Sequence, residues 1–443
     1  MLGEYRIEGR RASEIAASVE RAVGAGELQP GEVLPPLREL AVYLEVNPNT
    51  VAAAYRTLRD RGVIETAGRR GSRVRPRPAS TAREALRVEV PPGVRDASDG
   101  NPDPVLLPPL ERALAEAAAR SARRPVLYGA PAVDDDLAAL ARSAFAADGV
   151  PDGPIAVTSG SLDAIERVLA AHLRPGDTVA VEDPGWGSLL DLIPALGLRA
   201  APVGLDDEGP LPEQLARAIE DGARAVIVTD RAQNPTGAAI TQPRATELRT
   251  LLSQHPGVLL IEDDHGHGIV DLPLHPLAGV TDHWVLVRST AKAYGPDLRL
   301  AVLTGDATTV DRVCGRQRLG PGWVSHLLQD TVAHLWRTSA IEPAVVAGEY
   351  DRRRDALIRA LAGRGVRARG RSGMNVWVPV PDETGAVARL LHAGWAVAPG
   401  ARFRLHSPPG VRITVSTLSD DDMDPVAEAV ASATGVGEAR RYE

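Results

Sequence analysis

The sequence predicts a multidomain chain: an N-terminal winged helix-turn-helix followed by a large α/β domain on a mostly parallel sheet. Three observations predict it. Charge divides along the chain: residues 1–79 hold 13 Arg against 10 Asp and Glu, whereas the whole chain has a net charge of −8. The first eighty residues show three short helical patterns, then two short stretches of strand character around an Arg-Gly turn. From residue 97 onward, short apolar runs alternate with helical segments, and each run ends in a polar loop. Such alternation builds parallel sheets covered by helices, with ligands at the carboxyl ends of the strands.

Bulk composition narrows the function classes. With 443 residues, 44% of them hydrophobic, the chain has length for two or three domains with sizeable cores. The apolar runs are short and broken by charge, so neither a signal peptide nor a membrane span is expected, and a cytoplasmic protein is. One cysteine, Cys314, excludes an intramolecular disulfide and any cysteine-rich metal site. No metal is expected elsewhere, because His265-Gly266-His267 lacks a spaced third ligand. Of the 50 Lys plus Arg residues, only Lys292 is lysine. A guanidinium stays protonated, whereas an amine can lose its proton and attack a carbonyl. The one lysine is therefore a candidate for Schiff-base chemistry.

The N-terminal elements follow from spacing. Ile15, Ala16, Val19 and Val23 predict a helix over 12–23, with Ser13 as its cap. Leu37, Leu40, Ala41 and Leu44 share one face and predict a second helix over 37–44. Pro48 suits the first turn of a third helix, where its missing N–H is not needed. Val51, Ala54, Tyr55 and Leu58 give that helix its inner face over 49–61, and Gly62 ends it. Residues 63–66 and 72–74 read as a two-stranded wing around Ala67-Gly68-Arg69-Arg70-Gly71. Helix, helix-turn-helix and wing form a DNA-reading arrangement. Asn47, Asn49, Thr50 and Arg56 are placed near the major groove, where Asn reads adenine and Arg holds guanine or phosphate. Arg38 is placed to meet backbone phosphates, and Arg69, Arg70 and Arg73 the adjoining groove. Residues 56–77 carry eight Arg and two acids, as a polyanion contact requires.

These strings carry a resemblance. Gly31-Glu-Val-Leu-Pro-Pro-Leu-Arg-Glu-Leu-Ala and Val46-Asn-Pro-Asn-Thr-Val-Ala-Ala-Ala-Tyr-Arg-Thr-Leu resemble the second and third helices of the GntR-type winged-helix regulators. The resemblance implies a DNA-binding domain over residues 1–76. Pro and Arg then dominate, and 77–96 reads as a linker with a short helix at 82–88.

In the remaining domain, 97–443, strands are expected over 155–158, 178–182, 225–229, 258–262 and 284–288. Helices are expected over 162–171 and 188–196. The loops after these strands hold matching chemistry. Ser159-Gly160-Ser161 sits at a strand end and a helix start, where N–H groups cradle a phosphate. Asp183-Pro184-Gly185-Trp186 offers a flat ring, and Asn234-Pro235-Thr236-Gly237 an amide. Glu262-Asp263-Asp264-His265 offers carboxylates, and Ser289 to Arg299 offers hydroxyls, the amine and an arginine. Phosphate donors, a ring, a carboxylate and one lysine are what pyridoxal 5′-phosphate needs.

Residues 98–432 resemble the fold-type I aminotransferases, which have large and small subdomains. The resemblance implies that Lys292 forms the Schiff base and that Asp263 pairs with the pyridine nitrogen. It implies that Asn234 lies beside the phenolic oxygen and that Trp186 stacks on the ring. Gly160, Ser161, Ser289, Thr290 and Arg299 would form the phosphate cup, with Tyr128 reaching the neighbouring subunit's phosphate. Arg412 would grip an α-carboxylate as a bidentate pair. Two departures stand out: His265 replaces the usual tyrosine near the phenolic oxygen, and the stretch Ala130-Pro131-Ala132-Val133 after Tyr128 lacks the glycine usual there.

Winged helix, linker and aminotransferase-like domain together resemble the MocR subfamily of GntR regulators. That implies a homodimer with swapped domains, bound to a double-stranded DNA operator. It implies sensing of a small amino compound, or of pyridoxal phosphate itself, through the aldimine on Lys292. The alternative is an active aminotransferase with a fused DNA-binding domain.

Overall fold

The computed structural model describes residues 6–25, 27–29, 31–60, 63–66, 71–75 and 83–434. The chain divides into two compact units: the first is Met1–Ser80 with the short pieces Arg174–Asp177 and Ile193–Arg199, and the second is the remainder from Thr81.

In the first unit, α1 (Ala12–Ala25), α2 (Leu37–Tyr43) and α3 (Pro48–Asp60) precede two short strands. These are β1 (Ile64–Thr66) and β2 (Ser72–Val74), paired antiparallel with Ile64 opposite Val74. The expected apolar spacing is what closes the core: Ile15, Val19, Leu40, Val51, Ala54, Leu58, Ile64 and Val74 are all buried. Tyr55 is also buried, and its hydroxyl donates to the Pro35 carbonyl at 2.8 Å. That bond ties α3 to the chain entering α2. Ser13 does not cap α1, which begins one residue earlier. Instead the Glu14 carboxylate accepts from the N–H groups of Arg10 and Arg11, at 3.0 and 3.2 Å. Arg61, Gly62, Arg69 and Arg70 lie outside the described residues.

The second unit contains the α/β domain. A 3-10 turn, Glu84–Leu86, stands where the short helix was expected. Then come β3 (Arg95–Ala97), α4 (Glu111–Arg123), α5 (Asp135–Ala147), β4 (Ile155–Thr158), α6 (Ser161–His172), β5 (Thr178–Glu182) and β6 (Arg199–Val203). A small hairpin of β7 (Leu205–Asp206) and β8 (Gly209–Pro210) leads to β9 (Ala223–Thr229), β10 (Leu259–Asp264), β11 (His283–Ser289) and β12 (Ala301–Gly305). Among the described residues the main sheet has seven strands, in the order β4-β12-β11-β10-β9-β5-β6. Pairs β11–β10, β10–β9 and β9–β5 are parallel, and β12 runs antiparallel to both β11 and β4. The parallel strands are buried on both faces, as continuous runs such as Val226-Ile227-Val228 require.

A second sheet lies toward the C-terminus: β13 (Asn375–Pro379), β14 (Trp395–Pro399) and β15 (Gly410–Thr414), in the order β13-β15-β14-β3. It has its own core of Leu357, Val376, Val397, Ile413 and Val426, with the helices Pro343–Gly363 and Asp420–Thr434 packed on it. This is the small subdomain. β3 joins its edge beside β14, and the carbonyls of Ser98 and Gly100 just after β3 meet Arg412 of β15 and Lys292 after β11.

No helix among the described residues is long and apolar enough to cross a membrane.

Candidate functional site

The carboxyl ends of β4, β5, β9, β10 and β11 converge with β15 on one cavity of about 350 Å³. It is lined by Gly160, Ser161, Trp186, Asn234, Asp263, His265, Ser289, Lys292, Arg299 and Arg412, each named from the sequence. Gly100, Ala232, Ile269, Met374 and Asn375 also line it, and sequence reasoning missed them. Gly100 had a signal, the loop-forming Asp99-Gly100-Asn101-Pro102 string.

Lys292 lies in the one-turn helix Ala291–Tyr294 directly after β11. Its amine donates to the Gly100 carbonyl at 2.5 Å. Burial first, and the Arg412 charge second, lower its pKa to about 8. The amine is thus closer to its neutral, nucleophilic form than an exposed lysine is.

Asp263 is the penultimate residue of β10 and is buried. One carboxylate oxygen, Oδ2, lies 3.1 Å from His265 Nδ1, and the other, Oδ1, is buried without a partner. Its neighbour Asp264 faces the opposite side of the strand and does structural work. Arg231 binds it through two hydrogen bonds, at 3.1 and 3.0 Å, and Arg288 Nε adds a third at 2.9 Å. Burial alone would raise the Asp264 pKa, but Arg288 and Arg231 hold it well below the usual carboxylate range.

Asn234 is fixed by a network behind it. The buried Glu182 carboxylate accepts from Thr229 N–H at 2.8 Å, Thr229 Oγ1 at 2.9 Å and Gln233 Nε2 at 3.0 Å. Gln233 Oε1 in turn accepts from Thr236 N–H at 3.0 Å and Thr236 Oγ1 at 2.6 Å. The turn carrying Asn234 therefore cannot rotate without breaking buried hydrogen bonds. Asn234 Oδ1 accepts from Arg412 Nη1 at 3.0 Å.

Arg412, on β15, is buried. Its Nη2 donates to the Ser98 carbonyl, its Nε has no partner, and its guanidinium carbon lies 4.7 Å from the centre of the Phe403 ring. Burial, then repulsion from Arg402, lowers its pKa to about 9, so this cation is short of negative charge. Gly100 has φ +68°, and a Cβ there would come within 3.0 Å of Arg412 Nη2. The positive φ and the close approach both favour glycine at that crossing.

At the start of α6, Gly160 has φ +98°, and a Cβ would come within 2.8 Å of Arg299 Nη2. Ser161 Oγ is buried without a partner. Arg299, itself left-handed at φ 44°, donates to the Ser159 carbonyl at 3.1 Å. Ser289 Oγ accepts from Ala291 N–H at 3.2 Å. Two residues named with this group lie elsewhere. Thr290 is buried off the cavity, and its hydroxyl donates to the Leu300 carbonyl at 2.7 Å. Tyr128 is 94% exposed and stands edge-on to Trp323, with ring centres 5.6 Å apart.

In the first unit, Arg38, Asn49 and Arg56 are exposed and Thr50 half-buried. Asn47, also exposed, caps α3: its Oδ1 accepts from Asn49 N–H at 2.8 Å. Arg73, half-buried on β2, is tied by Nε to Glu65 at 2.6 Å.

Two family models match the chain. Bacterial regulatory proteins, gntR family, covers residues 11–74, and Aminotransferase class I and II covers 99–430. The Salmonella typhimurium vitamin B6 salvage pathway transcriptional repressor PtsJ is 41% identical over 433 residues, spanning 96% of this chain and 99% of the relative. The chain belongs to the MocR-type regulators of the GntR family. Another relative of this MocR-type protein is the Corynebacterium glutamicum HTH-type pyridoxine biosynthesis transcriptional regulator PdxR, 27% identical over 66% of this chain and 65% of its own. Among solved structures, the aspartate aminotransferase of Thermus thermophilus with maleate matches at 26% identity and TM-score 0.68, covering 77% of this chain and 92% of the other. A MocR-type regulator joins a DNA-binding gntR module to an aminotransferase-class domain of the pyridoxal-phosphate-dependent kind.

Proposed function

We propose that this MocR-type regulator holds pyridoxal phosphate on Lys292 and reads, through that cofactor, either an amino compound or the cofactor supply itself. One observation carries the reading: the only lysine of the chain opens into the same cavity as an unpartnered carboxylate oxygen, an unpartnered serine hydroxyl and a buried arginine. The residues fit the cofactor. Asp263 Oδ1 suits a protonated ring nitrogen, because a buried lone carboxylate oxygen needs a donor. Ser161, Ser289, Arg299 and the first N–H groups of α6 suit its phosphate. Trp186 suits its ring face, and Asn234 its phenolic oxygen. Bound pyridoxal phosphate supplies an electrophilic carbon and an electron-withdrawing ring.

The remaining groups read the ligand. Arg412 is the cation positioned for an α-carboxylate, which would displace Ser98 and Asn234 from its nitrogens. The domain then acts as a homodimer, in which Tyr128, exposed in one chain, serves the phosphate of the other. The gntR module places Arg38, Asn49, Thr50 and Arg56 on paired half-sites of the operator. The name of the Salmonella relative favours vitamin B6 itself as the signal.

The test is an absorption screen joined to operator binding. The purified protein should show a visible cofactor band that shifts with one class of amine or amino acid. Operator affinity should change either with that ligand or with pyridoxal phosphate alone. Sustained turnover of common amino donors, without any change in DNA affinity, would sink the regulatory reading in favour of the aminotransferase one.

A further inference from the structure

His265 stands where the resemblance places a tyrosine beside the cofactor's phenolic oxygen. Its surroundings give it a different task. The ring lies between the end of β10 and the turn after β9, with 17% of the side chain exposed. Nε2 is 2.8 Å from the Ala232 carbonyl, and Nδ1 is 3.1 Å from Asp263 Oδ2. A backbone carbonyl only accepts, so Nε2 carries a hydrogen and spends it there. An ionised carboxylate also only accepts, so Nδ1 carries the second hydrogen. Histidine has no third N–H to offer.

We propose that His265 is a positioning residue for Asp263, held as an imidazolium, and that it makes no hydrogen bond to the cofactor's phenolic oxygen. That oxygen is left to the Asn234 amide. Arg412 Nη1 fixes Asn234 Oδ1, which leaves the NH2 end of the amide as the donor. With Oδ2 tied to His265, Asp263 keeps one oxygen, the buried and unpartnered Oδ1, for the ring nitrogen. A tyrosine would serve the oxygen side of the ring, whereas this histidine serves the nitrogen side. The charged groups facing the imidazole are Asp263 from β10 and Lys292 from the helix after β11. Burial opposes the charged ring most and Lys292 opposes it further, yet Asp263 and the Ala232 carbonyl outweigh both and raise its pKa.

The inference rests on reading the cavity as the cofactor site, but its test begins without cofactor. Full-length apoprotein labelled with 15N-histidine gives ring-nitrogen resonances, and His265→Asn assigns the relevant pair. Both nitrogens should be protonated at neutral pH, with a titration midpoint above the ordinary histidine value of about 6.5. Asp263→Asn should lower the midpoint relative to the wild type, because only the Ala232 carbonyl then opposes burial and Lys292. Loading the wild-type protein with pyridoxal phosphate should leave the Nε2 resonance in place. A neutral ring at pH 7 overturns the proposal, and so does an Nε2 resonance that moves on loading. The wild-type spectra decide alone should Asp263→Asn fail to fold. Failure of the cofactor to load at all counts against the site reading, and is seen separately by absorbance.

Discussion

At the scale of single residues, the chemistry turns on one amine. Lys292 is the only side-chain amine in the chain, so Lys292→Ala should abolish the visible cofactor band. Only the α-amino group remains to compete, and a band of unchanged intensity in the variant would remove Lys292 from its role. The pH dependence has a definite sign. The Lys292 pKa is lowered to about 8, and the neutral amine is the nucleophile. Capture of pyridoxal phosphate by apoprotein should therefore accelerate as pH rises from 6 through about 8 and level off above it. Arg412 is the second cause of that shift, after burial. Arg412→Ala should move the rise to higher pH, toward the ordinary lysine value, while abolishing any response to a carboxylate-bearing ligand. Stopped-flow absorbance of the two apoproteins measures both limbs. A capture profile that Arg412→Ala leaves in place would mean that burial alone sets the Lys292 pKa. Most of these residues were legible in sequence because a strand end, a loop and a helix start put their polar groups at one edge of the sheet. Thr290 was not. It follows Ser289 in sequence, yet the chain turns there into the helix Ala291–Tyr294, and the hydroxyl closes the loop on Leu300 instead of facing the cavity.

At the scale of elements, α3 carries an exposed arginine on its surface and is capped by the side chain of Asn47. Arg56 is exposed, and Arg56→Ala should lower the salt slope of operator binding by about one if its partner is a phosphate. A slope that stays put would take Arg56 off the backbone. Asn47 behaves differently. Its side chain closes the first turn of α3, so Asn47→Ala should cost about 1 kcal/mol in thermal or urea unfolding of the winged helix. Its salt slope should match the wild type, because no charge is lost; unfolding indistinguishable from the wild type would make Asn47 a base reader only. Helix positions were readable because apolar residues recur at three and four residues, which only one buried face explains. β12 was not read. Its run Ala301-Val302-Leu303-Thr304-Gly305 is short, follows β11 after only the one-turn helix Ala291–Tyr294 and a 3-10 turn, and inserts antiparallel between β4 and β11. The βα alternation holds no trace of that insertion, since strand order is set by long-range pairing and not by local pattern.

At the scale of the whole molecule, the two units matter only if ligand state and DNA affinity are linked. A ligand shifts a DNA-binding equilibrium only when it binds the two states with different affinity, and the coupling is reciprocal. The cavity has groups suited to such discrimination. Residues 98–101 connect β3 of the small sheet to the large domain, and carbonyls of this segment hold both cations: Ser98 accepts from Arg412 and Gly100 from Lys292. A ligand that takes Lys292 and Arg412 must release both carbonyls, whereas one that takes only Lys292 releases only Gly100. Cofactor alone and cofactor plus amino acid are therefore expected to give distinct operator affinities in the wild-type protein, separated by a coupling of about 1–3 kcal/mol, or roughly 5- to 150-fold. Lys292→Ala should bind operator with one affinity whatever is added, and with the wild-type salt slope, because the arginines of the winged helix are untouched. Fluorescence anisotropy of a labelled operator across the ligand states measures this. A Lys292→Ala protein that still responds to the ligand would place the sensing outside this cavity, and identical affinities in all wild-type states would leave the aminotransferase-class domain without a regulatory output.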